Sequence, residues 1–287
     1  MKSKDIVTQL ETNIGISGSP IRLIDAITQA LQQLGLPEIQ AVEEAELLEE
    51  SVRDLISEEE EVTPLPKLTI ITSAENFVSG YCYVNSSDSP EIAAAKRSRL
   101  NTNPLLQEIR SLTFKEFELF GACVLKELGA KQVRVTSHSD DQGIDFYGVL
   151  SLGQNSFLPS PFGQLAHDVR LLFAGQAKHY PTRPIGPELM RELVGSISLA
   201  RYKVFTISED LFEEGIELLP FNPLVAMFFT TGRFTSGALD LAKRSGVIAK
   251  SGEELAVFLA DKNIGMYNDN GEMKFDKNQF HNWLTTE

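Results

Sequence analysis

Apolar positions along this chain change period several times, and each change marks an element. In the first sixty residues they recur near 3.6: Ile21, Leu23, Ile24, Ile27, Ala30, Leu31 and Leu34 predict a helix over 21–36, opened by Ser19-Pro20 and stopped by Gly35. Val42, Ala45, Leu48, Val52, Leu55 and Ile56 form the apolar face of a second helix over about 39–57, with a dense acidic face opposite. The run Glu58 to Glu61 and the following TPLPK predict a boundary, because like charges repel and Pro64 and Pro66 exclude helix. KLTIIT and GYCYVN then read as strands, and SSDSPEIAAAKRSR as a loop entering a helix. This middle segment either adds strands to a later sheet or belongs with the N-terminal helices.

From residue 113 onward the periods alternate. Helical patterns at 113–128, 187–200, 236–245 and 253–260 are interleaved with strand-like runs at 132–136, 144–150, 169–178, 203–207, 225–230 and 247–249. That order predicts an α/β fold with a mixed central sheet flanked by helices, preceded by a helical acidic N-terminal region. The expected division is 1–61, a connecting segment 62–111, a main domain 112–260 and an extension 261–287. The extension, with NDNGEMKFDKNQFHNWL, reads as a turn, a short strand and a closing helix, and carries no chemistry.

Composition changes this picture in two places. An apolar fraction of 42% over 287 residues is enough for a sizeable core, and no run of eighteen apolar residues or basic-then-apolar leader occurs, so a soluble cytoplasmic protein with no membrane partner is expected. Cys82 and Cys123 have no metal-ligand spacing and are expected to be reduced core thiols. The net charge of -14 runs against nucleic-acid binding, which draws on cations that neutralise phosphates. The charge is segregated, however: residues 1–100 hold 8 basic and 17 acidic side chains, residues 101–250 hold 15 and 16. The main domain is close to neutral, and Arg134, Arg183, Arg191, Arg201, Arg233, Lys243 and Arg244 are available there for phosphate or as ordinary surface charges.

Two segments carry the candidate chemistry, Asp141-Gln142-Gly143-Ile144-Asp145 and Gln176-Ala177-Lys178. An acid at one strand end with a lysine on a neighbouring strand suits metal-assisted phosphodiester hydrolysis, which needs a hard cation on oxygen ligands and a positive charge near the attacked phosphate. Strand alternation puts Gln176 and Lys178 on one face with Ala177 on the other. Gln176 offers a neutral carbonyl oxygen, weaker than a carboxylate. The alternative for Asp141 and Asp145 is a pair of turn acids capping backbone donors beside Gly143. Ser236-Gly237-Ala238 is either a phosphate seat or a plain helix start capped by Thr235 or Ser236. His179, next to Lys178, is either a general base or a surface histidine.

Four blocks in order make the chain from Leu112 to about Ala260 resemble the Mrr-like restriction endonucleases, a branch of the PD-(D/E)xK nucleases. They are LTFKEFELFGACVLKELGA (112–130), DQGIDFYGVL (141–150), GQAKHY (175–180) and FFTTGRFTSGALDLAKRSGVIAKSGEELAVFLA (228–260). The resemblance implies a restriction-endonuclease-like core and a metal-dependent DNA endonuclease acting in defence against foreign or modified DNA. It assigns Asp145 as principal metal ligand, Gln176 as second ligand, Lys178 as catalytic lysine and Glu118 as accessory acid, with Asp141 and His179 as further candidates. The same resemblance implies Mg2+ or Mn2+ as cofactor, double-stranded DNA as substrate, and a homodimer or a hetero-oligomer with a defence partner. Glu118 also reads as a solvated helix acid paired with Lys115. Two insertions depart from the family pattern, GQNSFLPSPFGQLAHD (153–168) and SEDLFEEGIELLP (208–220). A repair or junction nuclease and a partner-activated subunit are the competing readings. No DNA-reading module is recognisable in the N-terminal region, so the target is left open.

Overall fold

A computed structural model describes residues 2–136, 143–152, 169–203 and 221–286. The chain divides into two compact units, Met1–Leu105 with Ala256–Asp276, and Leu106–Leu255 with Lys277–Glu287.

The first unit is built on helices α1 (Ser3–Ile14), α2 (Leu23–Gln33) and α3 (Glu38–Val62) and on a three-stranded antiparallel sheet of β1 (Ile21–Arg22), β2 (Leu68–Thr72) and β3 (Asn76–Gly80), in the order β1-β3-β2. Ile6, Leu10, Leu23, Ile27, Leu31, Val52 and Ile56 bury together with Leu68 and Val78. The middle strands therefore belong to the N-terminal helices and not to the later sheet. Three expectations are corrected. Ile21 and Arg22 are extended, pairing with Val78 and Phe77, so the helix starts at Leu23. The second strand is Asn76–Gly80, not GYCYVN, because the Tyr83 amide donates to the Gly80 carbonyl and closes a turn there, while the Cys82 amide goes to the Ile16 carbonyl. Glu58 to Glu61 lie within α3, which continues to Val62. These glutamates are largely exposed, so solvent screens their repulsion and helix propensity prevails until the bias of Pro64 against helix at Thr63 ends it.

Later in this unit, α4 (Pro90–Arg99) follows the Ser89 cap, and a hairpin of β9 (Met266–Asp269) and β10 (Glu272–Phe275) fulfils the expected turn and strand of the tail. Cys82 and Cys123 are free and buried, as expected of core thiols; burial pushes the Cys82 thiol up to about 11.

The second unit holds the mixed sheet. After α5 (Thr102–Ser111) and α6 (Phe114–Glu127), five strands lie in chain order: β4 (Lys131–Val135), β5 (Phe146–Ser151), β6 (Arg170–Lys178), β7 (Leu224–Thr230) and β8 (Ile248–Lys250). β4-β5 and β5-β6 are antiparallel, β6-β7 and β7-β8 parallel. Parallel neighbours need crossovers, and α7 (Pro187–Lys203) and α8 (Ser236–Ser245) lie within them. Helices α9 (Gly252–Asp261) and α10 (Lys277–Thr285) complete the described elements. Lys203, expected to open a strand, ends α7 instead; the remainder of that expected strand, Asp141 and both insertions lie outside the described residues.

Local chemistry fixes the layer that supports the sheet. Thr113 and Glu116 form a reciprocal capping box at the start of α6: the Glu116 amide donates to Thr113 Oγ1 (3.3 Å), and the Thr113 amide to Glu116 Oε2 (2.7 Å). The helix then buries Phe117, Phe120, Gly121 and Val124. The Phe146 ring stacks on Phe229 at 5.2 Å and fills the space where side chains at Gly121 and Gly175 would stand. Any Cβ at either glycine would overlap that ring, so the two glycines let helix and strand close on one aromatic side chain. On the other face, Ala174 and Phe228 pack against Ile185, Met190, Leu193 and Ile197. Both faces of β6 are covered, which explains its near-continuous apolar run.

Candidate active site

β5 and β6 end beside each other, and the chemistry-bearing residues are placed where their ladder stops. Asp145 immediately precedes β5. Its amide donates to the Gly175 carbonyl oxygen (2.8 Å), and its own carbonyl accepts the Thr136 amide (2.9 Å). The next donor along β6, the Ala177 amide, is met by the Asp145 carboxylate, whose Oδ2 accepts it at 2.7 Å. The side chain thus takes over a ladder position that the backbone has left. Thr136 Oγ1 donates to the Ile144 carbonyl (2.7 Å) and tightens the same corner.

Gln176 lies between the two β6 residues that bind Asp145. Gly175 turns toward Phe146 and α6, so Gln176 turns to the opposite face, toward α7. A Cβ at Gly143 would come within 2.9 Å of Ser196 Oγ and 3.4 Å of Gln176 Nε2, which locates the amide under the loop before β5. Gly143 has φ +71, a conformation that disfavours any other residue, so both backbone and space demand glycine there. Gln176 is 1% exposed, and its Oε1 accepts no hydrogen bond. A buried amide oxygen without a donor is costly. It is the kind of acceptor that a hard divalent cation takes, and the half-buried Asp145 carboxylate is the natural anionic companion. Among the described residues no three His, Cys, Asp or Glu side chains converge as a metal site, so protein donors are few and water would complete the shell.

Lys178 ends β6, two residues after Gln176 and on its face, and is half-buried. Among the described residues its ammonium is paired with no carboxylate. A positive charge held at a strand end without a neutralising partner is available to an anionic ligand.

Glu118 is on α6, the helix that covers the face opposite Gln176 and Lys178, and is half-buried. His179 turns to that side as well: its Nε2 is 3.1 Å from the Arg110 carbonyl oxygen, and its ring makes edge contacts with Phe114 (5.2 Å) and Phe117 (6.2 Å). The ring is a packing element between helix and strand. Thr235 caps α8 by accepting the Ala238 amide (3.2 Å), so the Ser236-Gly237-Ala238 segment is a capped helix start.

Sequence reasoning missed a second polar feature beyond Lys178. Thr231 is fully buried, and its Oγ1 has no hydrogen-bond partner; its amide donates to the Lys178 carbonyl (3.4 Å), and its carbonyl accepts Arg110 Nε (3.4 Å). The signal was present as Thr230-Thr231-Gly232-Arg233 at the end of an apolar run.

In the mixed sheet, Asp145 directly precedes β5 and the Gln176-x-Lys178 segment ends its neighbour β6. Residues 109–214 match the family model described as a restriction endonuclease, the Mrr catalytic domain. No curated protein matches the chain. Among solved structures it is similar to the MspJI restriction endonuclease in complex with a 27-mer oligonucleotide, at 20% identity and TM-score 0.36, over 63% of this chain and 36% of that one. It is also similar to the DNA modification-dependent restriction endonuclease AspBHI (14%, TM-score 0.39, over 76% and 59%) and to restriction endonuclease FokI (12%, TM-score 0.33, over 91% and 43%). The chain therefore spans 36% and 59% of the length of the first two. No described helix is long and apolar enough to cross a membrane.

Proposed function

We propose that this chain is a metal-dependent DNA endonuclease of the Mrr-like restriction type, cutting double-stranded DNA in defence against foreign or modified DNA. The observation that supports the reading is the junction of Asp145, clamped on the Ala177 amide, with the buried Oε1 of Gln176 and the ammonium of Lys178, neither of which has a hydrogen-bond or carboxylate partner among the described residues. A bound divalent cation, Mg2+ or Mn2+, would supply Lewis-acid charge at the phosphate and lower the pKa of water. Asp145 and Gln176 would hold it, Asp145 giving the negative charge and Gln176 a neutral oxygen. Backbone and side-chain hydrogen bonds fix Asp145 before any ligand arrives, so little reorganisation is needed on binding. Lys178 stabilises the charge that grows on the attacked phosphate.

Plasmid cleavage with and without magnesium tests this, wild type against Lys178→Ala. Loss of the lysine is expected to slow cutting by ~10²–10³-fold with unchanged thermal stability, the range for removing one group that stabilises developing charge. Undiminished cleavage by both Asp145→Ala and Lys178→Ala proteins would refute the site.

A further inference from the structure

A cavity of about 430 Å³ opens where β6 and β7 run out, lined by Arg110, Thr182, Gly232, Arg233, Ser251 and Glu253 among others. We propose that it is a second phosphate seat, which holds a backbone phosphate of the DNA away from the one attacked at Lys178; the inference rests on the nuclease reading above. Three observations support it.

Its walls are locked. A Cβ at Gly232 would overlap the Tyr180 carbonyl oxygen and one at Gly252 the Thr231 carbonyl oxygen, while the Gly252 amide donates to the Gly232 carbonyl at 2.9 Å. Strand ends and the start of α9 therefore meet backbone to backbone, and the cavity keeps its shape without a ligand.

Its cations are unspent. Arg110 anchors Nε on the Thr231 carbonyl (3.4 Å), which directs the guanidinium while leaving its terminal nitrogens without a carboxylate among the described residues. The Arg233 guanidinium likewise has no carboxylate partner among them, although Glu253 lines the same cavity. In a chain of net charge -14, two arginines without a carboxylate partner among the described residues line one cavity. A planar guanidinium with several fixed donors matches a phosphate, and Thr182 adds a hydroxyl.

Its position is coupled to the site. The cavity follows Lys178 along both strands: the Thr231 amide donates to the Lys178 carbonyl, and Arg233 begins the segment that returns to Ile185, whose amide donates to the Arg233 carbonyl (2.9 Å). A phosphate held here fixes the register of the strand across Lys178. Such contacts position DNA without reading its sequence.

The test is equilibrium binding of a fluorescent duplex to the full chain in calcium at several salt concentrations. Each phosphate contact contributes about 0.9 to the slope of log affinity against log salt. Arg233→Gln is therefore expected to lower the slope by about one and affinity at 0.1 M salt by about eightfold. Arg110→Lys, which keeps the charge and loses the fork, should weaken binding with the slope retained. Glu253→Gln should strengthen binding. Wild-type affinity and slope in Arg233→Gln, with the wild type binding DNA, overturn the second seat alone; a wild type that binds no duplex overturns the nuclease reading and the seat together.

Discussion

If Gln176 holds the cation as proposed, one neutral atom would set its metal preference. A carboxylate in its place would bring a second negative charge to the cation, whereas the amide contributes only a dipole, so the pair with Asp145 carries one charge in total. Gln176→Glu is accordingly expected to lower the metal concentration giving half-maximal cleavage, and to increase the heat-detected affinity for Mg2+; an unchanged or weaker metal affinity would show that Gln176 Oε1 is not a ligand. The residue types of the site were legible in sequence because an acid, a Gln-x-Lys segment and a glycine turn are needed together. Their mutual support was not. The hydrogen bond from the Ala177 amide to Asp145 Oδ2 depends on β5 leaving the ladder at that residue, which no local pattern encodes. His179 has the same lesson: adjacent to Lys178 in sequence, it turns by strand alternation to the other face and is enclosed by Phe114 and Phe117.

At the level of elements, strong periodicity translated well. The helix expected at 236–245 spans those residues, α6 and β6 differ from expectation by a residue at their ends, and α3 runs longer only because solvent tolerates its glutamates. What sequence could not give is docking. Helix α10, expected to close the tail without chemistry, is tied to α5 by Glu108, a 7% exposed carboxylate that accepts from Lys277 Nζ (3.0 Å) and sits 2.8 Å from His281 Nε2. Burial pushes the Glu108 carboxyl up, but hydrogen bonds from Lys277, His281 and Ser111 outweigh it and hold the group below its ordinary value. A carboxyl depressed in the folded state stabilises above its unfolded pKa, and that contribution is lost as pH falls through the folded value. Acid should therefore loosen α10 as pH falls below the usual glutamate range. Trp283, the single tryptophan, donates Nε1 to Glu127 (2.9 Å) and packs on Phe120 at 5.6 Å, so its fluorescence reports the docking directly. The acid transition should shift to higher pH or vanish in Glu108→Gln; an identical titration would remove Glu108 from the account.

For the whole molecule the open question is how a chain of net charge -14 approaches a polyanion. The second unit holds Lys178, Arg110 and Arg233, which have no carboxylate partner among the described residues, whereas α3 displays Glu43, Glu46, Glu58 and Glu61 to solvent. Long-range repulsion then opposes encounter even where short-range contacts favour the bound state, and the two effects separate by ionic strength. Changing those four glutamates to glutamine takes the formal charge from -14 to -10 while leaving helix propensity almost unaltered. Association with duplex DNA should quicken at low salt, and the gain should shrink as the Debye length falls toward about 8 Å near 0.15 M. Dissociation should change little, because none of the four residues lies in the second unit, which holds the proposed site. Stopped-flow association at three salt concentrations checks this: a gain that persists at high salt would place α3 in direct contact with DNA, and no gain at any salt would show that the acidic helix has no bearing on binding.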